Sequence, residues 1–194
     1  MSRYNFLFDE IKQNKCKTIM EIGTCRGHSG LRMLDAAKTN YTYHAITYYG
    51  FDLFEDLDEA TFSLEVAKRP RAEAEALNYL QQSECDIILT KGFSRDTIPK
   101  FNPDRHIDFI FIDGGHSERT VMDDWNNIQR FITKDTIIMF DDYLSEFNKL
   151  TWGSNFIVDK LDTTKYIITK SPEFDTFNFG NVKSDVHIMK VMLR

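Results

Sequence analysis

Residues Thr18 to Gly30, TIMEIGTCRGHSG, constrain this chain more than any other stretch. An apolar run, Ile19, Met20 and Ile22, is interrupted by Glu21 and passes directly into Gly23-Thr-Cys-Arg-Gly27. An amphipathic run, Leu31-Arg-Met-Leu34, follows the third glycine, Gly30. That order describes a buried strand, a tight turn and a helix N-terminus, the unit of an α/β protein. Glycine lets the backbone take positive φ and lets a ligand approach with no Cβ in the way. The free N–H groups at the helix start favour an anionic group such as a carboxylate or phosphate. A dinucleotide-binding turn would read GxGxxG; here the spacing is Glu21-x-Gly23-x-x-x-Gly27, acidic first and wider.

At 194 residues the chain has the size of one domain, residues 1–194, with 1–17 expected as an N-terminal cap helix. A hydrophobic content of 42% beside 28% charged residues is globular composition and argues against disorder. The net charge of −6 argues against a nucleic-acid surface, which needs clustered Lys and Arg. No apolar run approaches the roughly 20 residues that cross a bilayer, and the N-terminus lacks a signal-peptide core. Cys16, Cys25 and Cys85 have no metal-binding spacing, so reduced thiols in a cytoplasmic setting are expected.

In chain order, residues 3–15 carry a helical apolar face that caps the sheet edge or the pocket. The aromatic and β-branched segment 41–56 reads as a strand ending at Gly50-Phe51-Asp52. An acidic residue at the end of a second strand is where a Rossmann-like fold holds ribose hydroxyls. Asp52 is the ribose candidate, with Leu53 and Phe54 beside the adenine; the other reading of Asp52 is a helix cap. Residues 56–82 are helical in pattern and broken near Pro70. A third strand, Asp86 to Thr90, leads to Gly92-Phe93-Ser94, where Ser94 faces the adenine side or caps the next helix.

Ile107-Asp-Phe-Ile-Phe-Ile-Asp113 is a buried-strand pattern whose polarity appears at its carboxyl end. A helix over 118–131 follows, then a strand from Asp135 that ends in Asp141-Asp142-Tyr143. Two closing strands are expected near 166–169 and 186–191. Ligands in open α/β sheets bind outside the carboxyl ends of the strands, where Asp113, Asp141 and Asp142 all fall. Three converging carboxylates repel one another unless a cation is present, and oxygen-only donors point to Mg²⁺ ahead of Ca²⁺ or Mn²⁺. The alternative is that these aspartates cap helices. His116, three residues after Asp113, is the candidate general base or a structural histidine.

Glu21-x-Gly23-x-x-x-Gly27 resembles motif I of class I S-adenosylmethionine (SAM) methyltransferases. Together with FDLFED, IDFIFIDGGH and IIMFDDY, in this order, the chain resembles the macrocin O-methyltransferase-like branch of metal-dependent enzymes over about residues 18–145. The resemblance implies a Rossmann-like class I methyltransferase fold, a mostly parallel seven-stranded sheet with helices on both faces. It implies SAM contacts from Glu21, Gly23, Thr24, Gly27, Ser29, Asp52, Phe54, Ser94 and Asp113. It further implies a magnesium site of Asp113, Asp141 and Asp142, with His116 as base in some members. The implied activity is Mg²⁺-dependent O-methylation of a small-molecule hydroxyl on a sugar, phenol or natural product.

About 17 residues precede the first strand, a shorter lid than the family's sugar and antibiotic enzymes carry. The acceptor pocket is then open, completed by a second subunit of a homo-oligomer, or adapted to something other than a glycoside. Rival readings are a metal-independent methyltransferase, a non-catalytic SAM- or partner-binding module, and, least favoured, an NAD-dependent oxidoreductase.

Overall fold

The apolar runs of the sequence become the centre of an eight-stranded sheet in the computed structural model, which describes residues 2–194. Strands β1 (Thr18–Ile22), β2 (Thr47–Asp52), β3 (Asp86–Lys91), β4 (Phe109–Ile112) and β5 (Ile137–Leu144) are parallel. Each residue of β1 and β4 is buried, as expected of parallel strands covered on both faces. β3 alternates between exposed and half-buried residues because it forms one edge. Three antiparallel strands complete the sheet: β6 (Tyr166–Lys170), β7 (Asp175–Phe179) and β8 (Val182–Leu193). The order is β3-β2-β1-β4-β5-β8-β6, with β7 also paired to β8.

Side-chain alternation divides the core into two layers. Ile19 joins Leu7, Ile11, Met33, Leu34 and Tyr48 beneath α1 (Tyr4–Gln13) and α2 (His28–Ala37). Met20 and Ile22 join Phe51, Ile110, Val121, Trp125 and Phe140 on the opposite face. The helices between strands are α3 (Glu59–Glu65), α4 (Glu73–Leu80), α5 (Ser94–Thr97) and α6 (Glu118–Ile128). Two short helices, α7 (Phe147–Leu150) and α8 (Asn155–Val158), lie between β5 and β6. No helix among the described residues is long and apolar enough to cross a membrane.

The structure departs from the expected plan in two places that matter for the site. The sheet has eight strands where seven were expected; the additional one is β7, which turns into β8 through Gly180-Asn181. Gly180 takes φ +61°, the left-handed geometry that a tight hairpin turn demands. In addition, β5 continues beyond its two aspartates. Phe140 pairs with Met189 and Tyr143 with His187, so Asp141 and Asp142 occupy an irregular bulge inside the strand. Asp142 takes φ +53° there, re-aiming its side chain.

Candidate functional site

The strand order reverses between β1 and β4, and ligands in such sheets bind in the crevice at that point. A cavity of about 530 Å³ opens there, lined by the glycine loop, the ends of β2, β4 and β5, and the segment joining α3 to α4.

One end of the cavity is built on the glycine loop. Gly23, at φ +93°, donates its N–H to the Phe51 carbonyl at 2.8 Å. A Cβ at Gly23 would stand 2.0 Å from the Asp113 carbonyl oxygen, so only glycine lets the β1 and β4 loops meet. Gly27 precedes α2 with no side-chain cap, and His28 and Ser29 at the helix start line the cavity. Asp52 accepts N–H bonds from Cys25 at 2.7 Å and from Phe54 at 2.9 Å. Its carboxylate therefore ties the loop while also lining the cavity, and each oxygen retains a lone pair. Burial raises the Asp52 pKa against the lowering effect of those backbone bonds. Leu53, Phe93 and Ser94 form the adjoining wall, and Phe93, not Ser94, holds the N-cap position of α5.

The other end is acidic. One ligand atom each from Asp113, His116 and Asp142 lie within 4.8 Å of one another. His116 Nε2 stands 2.8 Å from Asp142 Oδ2. Burial would lower the His116 pKa, but its hydrogen bond to Asp142 and the charge of that carboxylate outweigh burial and raise it. The same pairing holds Asp142 below its ordinary value despite burial. Asp113 is pushed well up, by burial first and then by the charges of Asp141 and Asp142.

Asp141 does not stand with this trio. Arg3 donates to it from Nε at 2.7 Å and from Nη2 at 3.0 Å, and the Tyr4 hydroxyl donates at 2.5 Å. Arg3 also reaches Asp175 on β7 at 2.8 Å. The expected Asp113–Asp141–Asp142 set is thus rearranged: the bulge turns Asp142 toward His116 and leaves Asp141 to the N-terminal arginine.

Of the residues singled out from sequence, Gly23, Thr24, Ser29, Asp52, Ser94, Asp113, His116, Asp141 and Asp142 line the cavity. Glu21, Gly27 and Phe54 are absent from its lining. Glu21 is buried and accepts a hydrogen bond from the Tyr48 hydroxyl, in the layer that α2 covers. Gly27 faces Tyr79 and Leu80 of α4, and Phe54 is 1% exposed. The cavity also takes in Arg3, Tyr4, Lys68, Trp152, Phe177 and Phe179, none of which belongs to a recognisable motif. The Gly180-Asn181 turn between two β-rich runs is the signal that could have revealed Phe177 and Phe179.

A family model described as a methyltransferase domain matches residues 20–143. No curated protein matches the chain. Among solved structures, an O-methyltransferase from Bacillus cereus in complex with SAH (S-adenosylhomocysteine) is 14% identical, with a TM-score of 0.62 over 96% of this chain and 79% of that one. TomG from Streptomyces achromogenes, an O-methyltransferase of tomaymycin synthesis in complex with SAM, is 12% identical, with a TM-score of 0.62 over 98% and 79%. A protein designated an rRNA methylase from Clostridium thermocellum is 12% identical, with a TM-score of 0.66 over 100% and 98%. At these identities the likeness establishes a shared Rossmann-like methyltransferase fold.

Proposed function

The chain belongs to the methyltransferase-domain family, and from that premise we propose that it is a SAM-dependent O-methyltransferase of the macrocin-like branch, acting on a small-molecule hydroxyl. The observation that carries this reading is a single cavity with a glycine-loop end and an Asp113–His116–Asp142 end. The net charge of −6 supports a small acceptor over RNA, whose phosphates call for clustered cations.

The residues present fit SAM. Gly23 to Ser29 and the uncapped start of α2 suit the methionine carboxylate. Asp52 suits the ribose hydroxyls, and Leu53, Phe93 and Ser94 suit the adenine side. When bound, SAM supplies a methyl group already activated by its sulfonium. The protein's task is to hold the acceptor oxygen in line with the methyl–sulfur bond, which positioning rewards by several kcal/mol. His116 would take the proton of the acceptor hydroxyl as that oxygen received the methyl group, with the thioether as the leaving group. With Nε2 engaged by Asp142, Nδ1 is the nitrogen left to accept that proton.

The donor set also fits a divalent cation. Asp113, His116 and Asp142 offer two carboxylates and an imidazole, a mixed set that suits Mn²⁺ as well as Mg²⁺. A cation there would lower the pKa of the acceptor hydroxyl. A second reading, metal-independent transfer, is favoured by the partners already present in the cluster: Arg3 bonds Asp141, and His116 Nε2 stands within hydrogen-bond distance of Asp142. Calorimetric titration of Mg²⁺ and Mn²⁺ into chelator-treated, SAH-loaded protein separates the two. A one-site signal that is lost in Asp142→Asn and kept in Asp141→Asn supports the cation; SAH binding without any cation signal supports the His116–Asp142 pair acting alone.

A further inference from the structure

The connection between β2 and β3 runs along the cavity without entering the core. Leu57 and Ala76 are buried, but no residue of 58–75 between them is. From this segment Thr61, Leu64, Glu65, Val66, Lys68 and Pro70 line the cavity. Leu64 is 77% exposed, an apolar surface that a molecule in the cavity would cover. A segment with so few buried apolar contacts opens at a far lower cost than the sheet beneath it. Hydrogen bonds at its two ends set its position.

At the acidic end one residue makes the joint. The Glu65 carboxylate accepts from the Ser117 N–H at 3.0 Å, the Ser117 hydroxyl at 2.7 Å and the Thr120 hydroxyl at 3.0 Å. Its backbone carbonyl accepts the His116 N–H at 3.2 Å. A Cβ at Gly115 would stand 2.6 Å from Glu65 Oε2, so the glycine leaves the carboxylate its place. At the glycine-loop end the joint is spread over several groups. Arg71 donates its N–H to the Cys25 carbonyl at 3.2 Å and its Nη1 to the Arg26 carbonyl at 2.7 Å. Arg26 Nε donates in return to the Arg69 carbonyl at 3.2 Å, and the Arg71 guanidinium lies 4.4 Å from the Tyr79 ring. The segment thus ties the glycine loop to the start of α6, and a single residue holds the second joint.

We propose that this segment is a strap that opens at Glu65 to admit and release the cofactor and closes over it once bound, with Glu65 as the latch. This rests on the SAM reading of the cavity and adds how the cofactor enters and leaves. Opening breaks hydrogen bonds that water can replace and uncovers no core. α6 keeps its N-cap throughout, because the Ser117 hydroxyl itself accepts the Thr120 N–H at 3.3 Å. In the closed state Glu65 holds the backbone of His116 and Ser117, so covering the cofactor and placing His116 happen in one step. Glu65 is a positioning residue, acting through the strap and His116.

The test is limited trypsin digestion of the folded protein with SAH as the probe, read at the bond between Lys68 and Arg69, both exposed on the strap. SAH should slow this cut by about tenfold or more, because cleavage follows the population of the open form. Glu65→Ala should speed the cut without SAH, and the release of SAH in stopped flow, by about tenfold, while cuts outside the strap keep their parent rates. Glu65→Gln keeps one acceptor oxygen and should fall between the two. Thr120→Val removes a single latch bond and should act in the same direction, more weakly, which keeps the test open if Glu65→Ala fails to fold. A protein that binds SAH yet is cut at Lys68 equally fast with and without it would overturn the strap. A Glu65→Ala variant that is cut and releases SAH as the parent does, or is cut faster at every site alike, would overturn the latch. Calorimetry showing no SAH binding by the parent would overturn the methyltransferase reading itself, and the strap with it.

Discussion

Arg3 and Asp141, 138 positions apart, meet as a two-pronged ion pair, Nε to Oδ1 at 2.7 Å and Nη2 to Oδ2 at 3.0 Å. Their side chains are 7% and 1% exposed, so the pair is shielded from water. Burial alone would lower the Arg3 pKa, yet the charge of Asp141 and its hydrogen bonds raise it above the ordinary value. The pair pins the start of α1 to the β5 bulge and so closes one side of the cavity. Removing one partner leaves a buried charge uncompensated, a loss of about 3–5 kcal/mol. Arg3→Ala should lower the unfolding free energy in urea by about 3 kcal/mol, and Arg3→Met with Asp141→Leu should recover part of it. A loss below about 1 kcal/mol for Arg3→Ala would contradict this account.

Two buried carboxyls predict how stability varies with pH. Burial pushes Glu21 up to about 8 from an ordinary 4.5, against the lowering hydrogen bond from Tyr48. Burial likewise pushes Asp124 up to about 7 from an ordinary 3.8. A raised folded pKa means that the folded chain holds the proton more tightly than the unfolded chain. The contribution is fully present below the ordinary values and is lost as pH rises toward the folded values. Each tenfold difference in proton affinity between the folded and unfolded chain is worth on the order of 1.4 kcal/mol. Urea unfolding at about pH 5 and about pH 8 should show Glu21→Gln declining less than the parent, by on the order of a few kcal/mol. Identical declines in the two proteins would show that Glu21 does not titrate as described.

Gly23 and Gly180 provide a paired test of backbone geometry. Both take positive φ, +93° and +61°. A Cβ at Gly23 would lie 2.0 Å from the Asp113 carbonyl oxygen, whereas at Gly180 nothing lies within 4 Å. Gly180→Ala should cost about 1 kcal/mol, the conformational penalty alone. Gly23→Ala should cost about 3 kcal/mol or more, or prevent folding, because two backbone segments must part. Equal thermal shifts for the two variants would contradict the close β1–β4 approach.

Much of this architecture was legible in the sequence because burial on both faces leaves a simple trace. Phe109 to Ile112 and Ile137 to Phe140 are apolar runs, Ile19 to Ile22 is one but for Glu21, and each is followed by a residue that lines the cavity. Gly23, Asp52 and Asp113 could be picked out because strand ends in such sheets face the ligand crevice. The rest depended on geometry that residue spacing does not carry. Adjacent aspartates look equivalent in sequence, and only the bulge, with Asp142 at φ +53°, sends one to His116 and leaves the other to Arg3. The Arg3 contact arises from the packing of α1 across the molecule, and no local pattern announces it. Glu21 was readable as acidic, but its direction was not: strand alternation turns it to Tyr48.

The measurement that bears most directly on the account is calorimetric titration of SAM into the metal-free protein and into Asp52→Asn. Asp52 holds the Cys25 and Phe54 N–H groups and faces the cavity, so it tests the loop and the proposed ribose contact together. One-site binding in the micromolar range, about −8 kcal/mol, is expected, weakened by about tenfold or more in Asp52→Asn. A folded parent protein that shows no heat of SAM binding, or an Asp52→Asn variant that binds as tightly as the parent, would contradict it.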